Sequence, residues 1–176
     1  MKAIPVIDLF AGPGGLGEGF SSELRKKQRA FNVALSIEMD PAAYKTLALR
    51  SFFRQFPPGK VPNEYYANLQ SESGPEKLQA AYPLQWSAAQ QTAWLAELGQ
   101  VPAEVVDERI RASLRGAKQW VLIGGPPCQA YSVIGRSRNR GIDPKDPRVY
   151  LYREYYRILA VHNPPVFVME NVKGLL

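Results

Sequence analysis

The sequence predicts an α/β protein built on a doubly wound, mostly parallel sheet. Three observations lead there. Short apolar runs of strand length alternate with stretches of helical period along the 176 residues. The runs are apolar throughout rather than every second residue, as in strands covered on both faces. The chemically equipped residues stand where parallel sheets place ligands, beyond the carboxyl ends of the strands: Gly12 to Gly17, Glu38, Pro127-Cys128 and Glu170-Asn171.

The elements follow in order. Ile4 to Phe10 reads as the first buried strand, and Gly12 to Gly19 as a glycine-rich turn opening a helix. Leu16, Phe20 and Leu24 share one helical face, with Arg25, Lys26, Lys27 and Arg29 in its last turns, where cations suit the helix dipole. Val33 to Ile37 is the second strand. Asp40-Pro41 reads as an N-cap followed by proline at the first helical position, opening a helix that stops before Pro57-Pro58-Gly59. Tyr65 to Leu69 is read as a short third strand. The stretch from about 71 to 117 is read as a helical insertion on the side of the sheet. Its helices are Ser87 to Gly99, opened by a capping box, and Pro102 to Leu114, with Gly116 as the stop. Val121 begins strand four, Asp146 to His162 is helical, and Val166 to Met169 is strand five.

Composition sets bounds. The chain is 45% hydrophobic and 22% charged, ordinary for a globular domain with its own core. No apolar run approaches the length of a membrane helix. A single cysteine and an N-terminus without a signal pattern lead us to expect the cytoplasm. Twenty-two basic against 16 acidic residues give a net charge of +6, compatible with a polyanionic partner such as nucleic acid.

Gly12-Pro13-Gly14-Gly15-Leu16-Gly17 satisfies G-x-G-x-x-G after a strand, and Glu38 follows the second strand. Glycines let a ligand approach the backbone, and the acid accepts hydrogen bonds from ribose hydroxyls. The pair points to an adenosine-like cofactor without saying which. Cys128, the sole cysteine, cannot form an internal disulfide. It is a buried thiol, a surface thiol or a nucleophile, and a stiff Gly-Gly-Pro-Pro turn at a strand end favours the nucleophile. His162, the sole histidine, reads as structural or surface, and no metal site is expected. Trp86, Trp94 and Trp120 read as core, and Tyr150, Tyr152, Tyr155 and Tyr156 as packing against the sheet.

Four motifs in order resemble those of DNA (cytosine-5)-methyltransferases: Asp8-Leu9-Phe10-Ala11-Gly12-Pro13-Gly14-Gly15, Gly125-Pro126-Pro127-Cys128-Gln129-Ala130-Tyr131-Ser132, Asp146-Pro147-Arg148 through Leu151-Tyr152, and Phe167-Val168-Met169-Glu170-Asn171-Val172-Lys173. The resemblance implies a Rossmann-like, S-adenosylmethionine-dependent methyltransferase fold that stops after about five strands. It implies that Cys128 adds to cytosine C6, that Glu170 holds N3 and the exocyclic amine, and that Pro127 and Asn171 position them. For S-adenosylmethionine it implies Phe10 against the adenine, the backbone of Ala11, Gly12, Pro13, Gly14 and Gly15 around the methionine portion, and Glu38 on the ribose. Met39 falls beside the adenine, Asn68-Leu69 stands where the family has Asp-Ile, and Pro126 and Leu151 line the channel. Toward double-stranded DNA with a flipped cytosine it implies Gln129, Ser132 and the basic loop carrying Arg136, Arg138 and Arg140.

The sequence stops at Leu176, directly after the Glu-Asn-Val motif. The resemblance therefore implies that a target-recognition domain and later motifs are missing. The expectation is a fragment inactive alone, either shortened or one piece of a split enzyme completed by a second polypeptide. Two other readings stand beside it. A non-catalytic nucleic-acid-binding or scaffold subunit leaves Cys128 and Glu170 without a purpose, and a dinucleotide-dependent oxidoreductase leaves the Pro-Cys-Gln and Glu-Asn-Val motifs unexplained.

Overall fold

The structure is a computed structural model that describes residues 2–71, 74–126 and 151–171. In chain order it holds β1 (Ile4–Leu9), α1 (Gly15–Ser22), β2 (Leu24–Arg25), β3 (Gln28–Arg29), β4 (Phe31–Glu38), α2 (Pro41–Phe53), α3 (Asn63–Leu69), α4 (Glu76–Ala81), α5 (Pro83–Thr92), β5 (Ala93–Leu95), α6 (Ala103–Leu114), β6 (Val121–Gly124), α7 (Leu151–His162) and β7 (Val166–Met169). Five strands form one sheet in the order β5-β4-β1-β6-β7, and every pairing is parallel. The order reverses between β1 and β6, so a crevice opens beyond their carboxyl ends. The doubly wound parallel sheet read from the sequence is therefore present.

Each sheet face buries its own layer. On one side Ile7, Leu9, Leu35, Ile37 and Leu122 pack with Val106, Ile110 and Leu114 of α6 and Tyr155 and Ile158 of α7. On the other, Val6, Val33, Val121 and Ile123 meet Leu16 and Phe20 of α1, while Leu47 and Ala48 of α2 cover Ala93. Successive residues of a strand point to opposite faces, so a strand sandwiched between helices has no polar side. A separate aromatic cluster joins the helices between β4 and β5. Phe52 is fully buried among Tyr65, Leu78 and Trp86, its ring 5.7 Å from the Trp86 ring.

Several elements differ from the sequence expectation. The first helix ends at Ser22. Leu24 to Arg29 then form a small antiparallel hairpin, with Lys26 and Lys27 at φ 51° and 65° in its turn. Leu24, read as the third residue of a buried helical face, is instead 47% exposed. Arg29 still meets a helix C-terminus, but that of α2, donating to the carbonyls of Arg54 and Phe56 at 3.0 and 2.8 Å.

Tyr65 to Leu69 is helical, because Tyr65 stacks on Phe52 and Phe53 rather than pairing with a strand. The third strand of the sheet is β5, inside what the sequence suggested was a helix from Ser87 to Gly99. Ser87 lies within α5, which opens at Pro83, so it caps nothing. The stretch 71–117 is thus not a helical addition alone: β5 joins the sheet, and α6 is the crossover leading to β6. Asp40 and Pro41 do open α2, the Asp40 carboxylate accepting from the Ala43 amide at 2.7 Å.

Trp86 and Trp120 are buried, whereas Trp94 is half-buried beneath the Arg109 guanidinium. Of the tyrosines on α7 only Tyr155 packs inward, donating to the Val168 carbonyl; Tyr156 is 71% exposed. Tyr150 and 146–150 of the expected helix lie outside the described residues. Among those described, no helix is long and apolar enough to cross a membrane.

Candidate functional site

The turn after β1 is held by its own backbone and by β4. Phe10 sits at φ 55° and Gly12 at φ 56°. The Ala11 amide donates to the Ile37 carbonyl at 2.9 Å, and the Gly14 amide to the Ala11 carbonyl at 2.9 Å. Gly14, at φ 87°, is the N-cap of α1, and a Cβ there would lie 2.8 Å from a methyl of Leu47. Only glycine meets both demands. Arg50 of α2 anchors the loop from outside by donating to the Pro13 carbonyl at 3.0 Å.

Glu38, at the end of β4, is nearly buried, and both its carboxylate oxygens are engaged. Oε2 accepts from the Gly12 amide and Oε1 from the Asp40 amide, each at 2.7 Å. Each oxygen keeps a further lone pair, so a carboxylate fixed in this way can still accept from the hydroxyls of a bound sugar. It lines a cavity of about 90 Å³ shared with Phe10, Ile37, Met39, Ala96, Leu98 and Gly125.

Glu170 reaches the same crevice from β7. Its amide donates to the Gly124 carbonyl at 2.9 Å, and its Oε2 lies 2.7 Å from where a Cβ on Gly125 would be. A Cβ on Gly124 would run into the Leu9 carbonyl, so β1 and β6 approach too closely here for any other residue. Leu151, at the start of α7, lies against Gly99 just past the loop that carries Leu98.

Of the residues singled out from sequence, the structure thus gathers Phe10, Glu38 and Met39 around one cavity, with Ala11, Gly12, Pro13, Gly14 and Gly15 in the adjoining turn. Pro126 is buried after β6. Asn68 and Leu69 are not brought to the cavity. The Asn68 amide donates to the Gly74 carbonyl at 2.9 Å, and Leu69 is 54% exposed. Ala96 and Leu98, after β5, line the cavity, and the Ala96 amide donates to the Glu38 carbonyl at 2.9 Å. Sequence reasoning missed these two because Ala-Trp-Leu is too short to show a strand period. Asn171 closes the described part of the chain. Pro127, Cys128, Gln129, Ser132, Arg136, Arg138 and Arg140 lie outside the described residues.

Comparison with known proteins bears on this geometry. The model of the C-5 cytosine-specific DNA methylase family matches residues 99–176. The Type II methyltransferase M.Bpa9945I of Bacillus paralicheniformis is 30% identical, over 97% of this chain and 41% of its own length. The chain is thus similar to this methylase family over residues 99–176 and to type II methyltransferases over nearly its whole length. The Type II methyltransferase M.AquIA of a Picosynechococcus species is 28% identical over 97% of this chain and 49% of its own length. A solved Entamoeba histolytica methyltransferase, EhMeth, aligns with TM-score 0.48 at 16% identity, covering 99% of this chain and 40% of that one. The chain spans less than half the length of these relatives. The family match begins at Gly99, so it includes the Pro-Cys-Gln and Glu-Asn-Val motifs.

Proposed function

We propose that this chain carries the cofactor-binding and nucleophile-bearing part of a DNA cytosine-5 methyltransferase of a restriction-modification system. The observation that carries the reading is the convergence of three strand ends on one crevice. β1 brings the glycine loop, β4 brings Glu38, and Glu170, directly after β7, lies against Gly125, three residues before Cys128. The fit to S-adenosylmethionine rests on the donor set. A fixed carboxylate for ribose hydroxyls, Phe10 and Met39 as apolar walls, and a glycine turn with open space beside Gly12 and Gly15 suit a nucleoside with an amino-acid tail.

Bound there, S-adenosylmethionine supplies an electrophilic sulfonium methyl group. The protein's part is to make cytosine C5 nucleophilic. The Cys128 thiolate adds to C6, which converts the C5–C6 double bond into an enamine. Glu170 hydrogen-bonds N3 and the exocyclic amine and stabilises the charge developing on the ring. C5 would then displace the thioether sulfur of S-adenosylhomocysteine from the sulfonium methyl carbon, the C–C bond forming as the S–C bond breaks. Loss of the C5 proton and expulsion of the Cys128 thiolate restore the aromatic ring and the enzyme. Pro127 and Asn171 position these groups. The target base reaches Cys128 only when flipped out of the duplex, with Gln129, Ser132, Arg136, Arg138 and Arg140 on the DNA. A protein partner supplying further segments is part of the reading where this chain acts without its relatives' remaining length.

Two measurements test it. Calorimetry should show S-adenosylhomocysteine binding and no NAD binding; the reverse would sink the reading. In the complete enzyme, DNA carrying 5-fluorocytosine should form a covalent adduct with the protein, and Cys128→Ala should abolish both adduct and methyl transfer while retaining cofactor. An alanine variant with full activity would remove Cys128 from its role.

A further inference from the structure

Asp8 is a buried carboxyl that this reaction leaves unused. It stands in β1 two residues before Phe10 and is 1% exposed. Its side chain shares the sheet face of Val6, the face covered by α1. There its Oδ2 lies 2.8 Å from the place a Cβ on Gly17 would take, so the carboxyl abuts the backbone of the first turn of α1. Ser36, its register partner on β4, is fully buried beside it with no partner for its hydroxyl. Both Asp8 oxygens are buried short of a full hydrogen bond among the described residues, the Gly17 amide being the backbone donor that faces them. The charged and titratable groups near it are Arg54 beyond α2, bonded to Glu18 of α1 at 3.1 Å, Glu38 of β4, and, across the sheet, the neutral Tyr155 phenol of α7.

We propose that Asp8 is a positioning residue for the glycine loop, its ionised carboxylate seating the first turn of α1 so that Gly12 to Gly15 take the shape that receives the cofactor. This rests on the cofactor reading given above. The physical reason is the helix N-terminus. Its unpaired amides carry partial positive charge, and an anion held against them orders that turn. α1 starts at Gly15, directly after the loop, so order in its first turn is order in the loop. Protonation removes the anion and loosens the seat. Burial pushes the Asp8 carboxyl up to about 7, with Arg54 and the Gly17 amide drawing it down and Glu38 adding to the rise. The switch between the two states thus falls near neutral pH.

The test is calorimetric titration of the full chain with S-adenosylhomocysteine from pH 6 to 8.5, in buffers of different ionisation enthalpy. Affinity should rise with pH by roughly 3- to 30-fold, with release of a proton on binding near pH 7. Asp8→Asn should bind at the weak, low-pH level throughout, relative to the ligand's own titration, and release no such proton. An Asn variant with the affinity and pH profile of the parent overturns the proposal. Should the variant fail to fold, amide exchange in the ligand-free parent decides. Protection of the Gly12 to Gly17 amides should rise with a midpoint near 7, and a flat profile refutes the seat. Absence of S-adenosylhomocysteine binding at every pH would overturn the cofactor reading, while the exchange profile still reports on Asp8.

Discussion

Gly125 and Glu170 come from the ends of neighbouring strands and leave no room for a methyl group between them. Gly125→Ala would place its Cβ 2.7 Å from the Glu170 carboxylate and force that side chain aside. The expected outcome is a loss of methyl transfer by the complete enzyme of at least about 100-fold, as for removal of a group that stabilises transition-state charge. Binding of S-adenosylhomocysteine should weaken far less, so kcat and cofactor Kd, measured separately, check it. Glu38→Ala acts in the opposite sense. It strips partners from the Gly12 and Asp40 amides and removes the acceptor for ribose hydroxyls. Cofactor affinity should fall roughly 10- to 100-fold, the worth of a charge-assisted hydrogen bond. Asp8 adds a pH signature to stability. Its folded value of about 7 stands well above the ordinary carboxyl range, so between the two the folded state holds an extra proton. Stability is therefore greatest below the unfolded value, declines as pH rises toward 7, and levels off above it. Asp8→Asn should flatten that decline in urea midpoints measured from pH 4 to 8.

At the scale of elements, α6 and α7 are tied by one acid. Asp107 of α6 accepts from Arg157 at 2.9 and 3.0 Å and meets the His162 ring at 3.0 Å, both on α7. Burial pushes the Asp107 carboxyl up, but the His162 and Arg157 hydrogen bonds outweigh it and hold the group below its ordinary range. Its stabilisation is present above the unfolded carboxyl value and is lost as pH falls through the depressed folded one. Asp107→Ala takes the acceptor from His162 and leaves Arg157 with Glu154 alone, and should cost about 1–3 kcal/mol in chemical denaturation at pH 7. His162 is thus a structural residue, as its place at a helix end suggested. What could be read from the sequence follows the same physics. Strands β1, β4, β6 and β7 were legible because each is an apolar run between strong punctuators. Asp40-Pro41 named its helix start outright. β5 was not legible, since three residues carry no period and Ala93 follows directly on α5. Tyr65 to Leu69 misled because aromatic residues favour strands, whereas here Tyr65 is buried by the aromatic cluster around Phe52. Glu38 and the glycine loop were found by their positions at strand ends. Ala96 and Leu98 were missed with the strand that precedes them.

Across the whole molecule the sheet is unequally protected. Its centre, β1 and β4, is sealed on both faces, and one edge, β5, is only three residues long and backed by α2 and α5. The other edge is different. Val166, Phe167, Val168 and Met169 of β7 are each between 39% and 54% exposed, and among the described residues β7 pairs only with β6. Four apolar side chains on a strand with an unpaired edge form a template for another strand, the arrangement natural sheets blunt with charge or cover. Short strand edges of this composition associate when nothing occupies them. We therefore expect the 176-residue chain to self-associate with rising concentration in sedimentation velocity, the more so at high salt, where its net charge of +6 is screened. Phe167→Lys puts a charge on that edge without entering the core, since Phe167 is 54% exposed. It should hold the chain monomeric while leaving its unfolding midpoint nearly unchanged. A parent chain that sediments as a monomer at every concentration would refute this expectation.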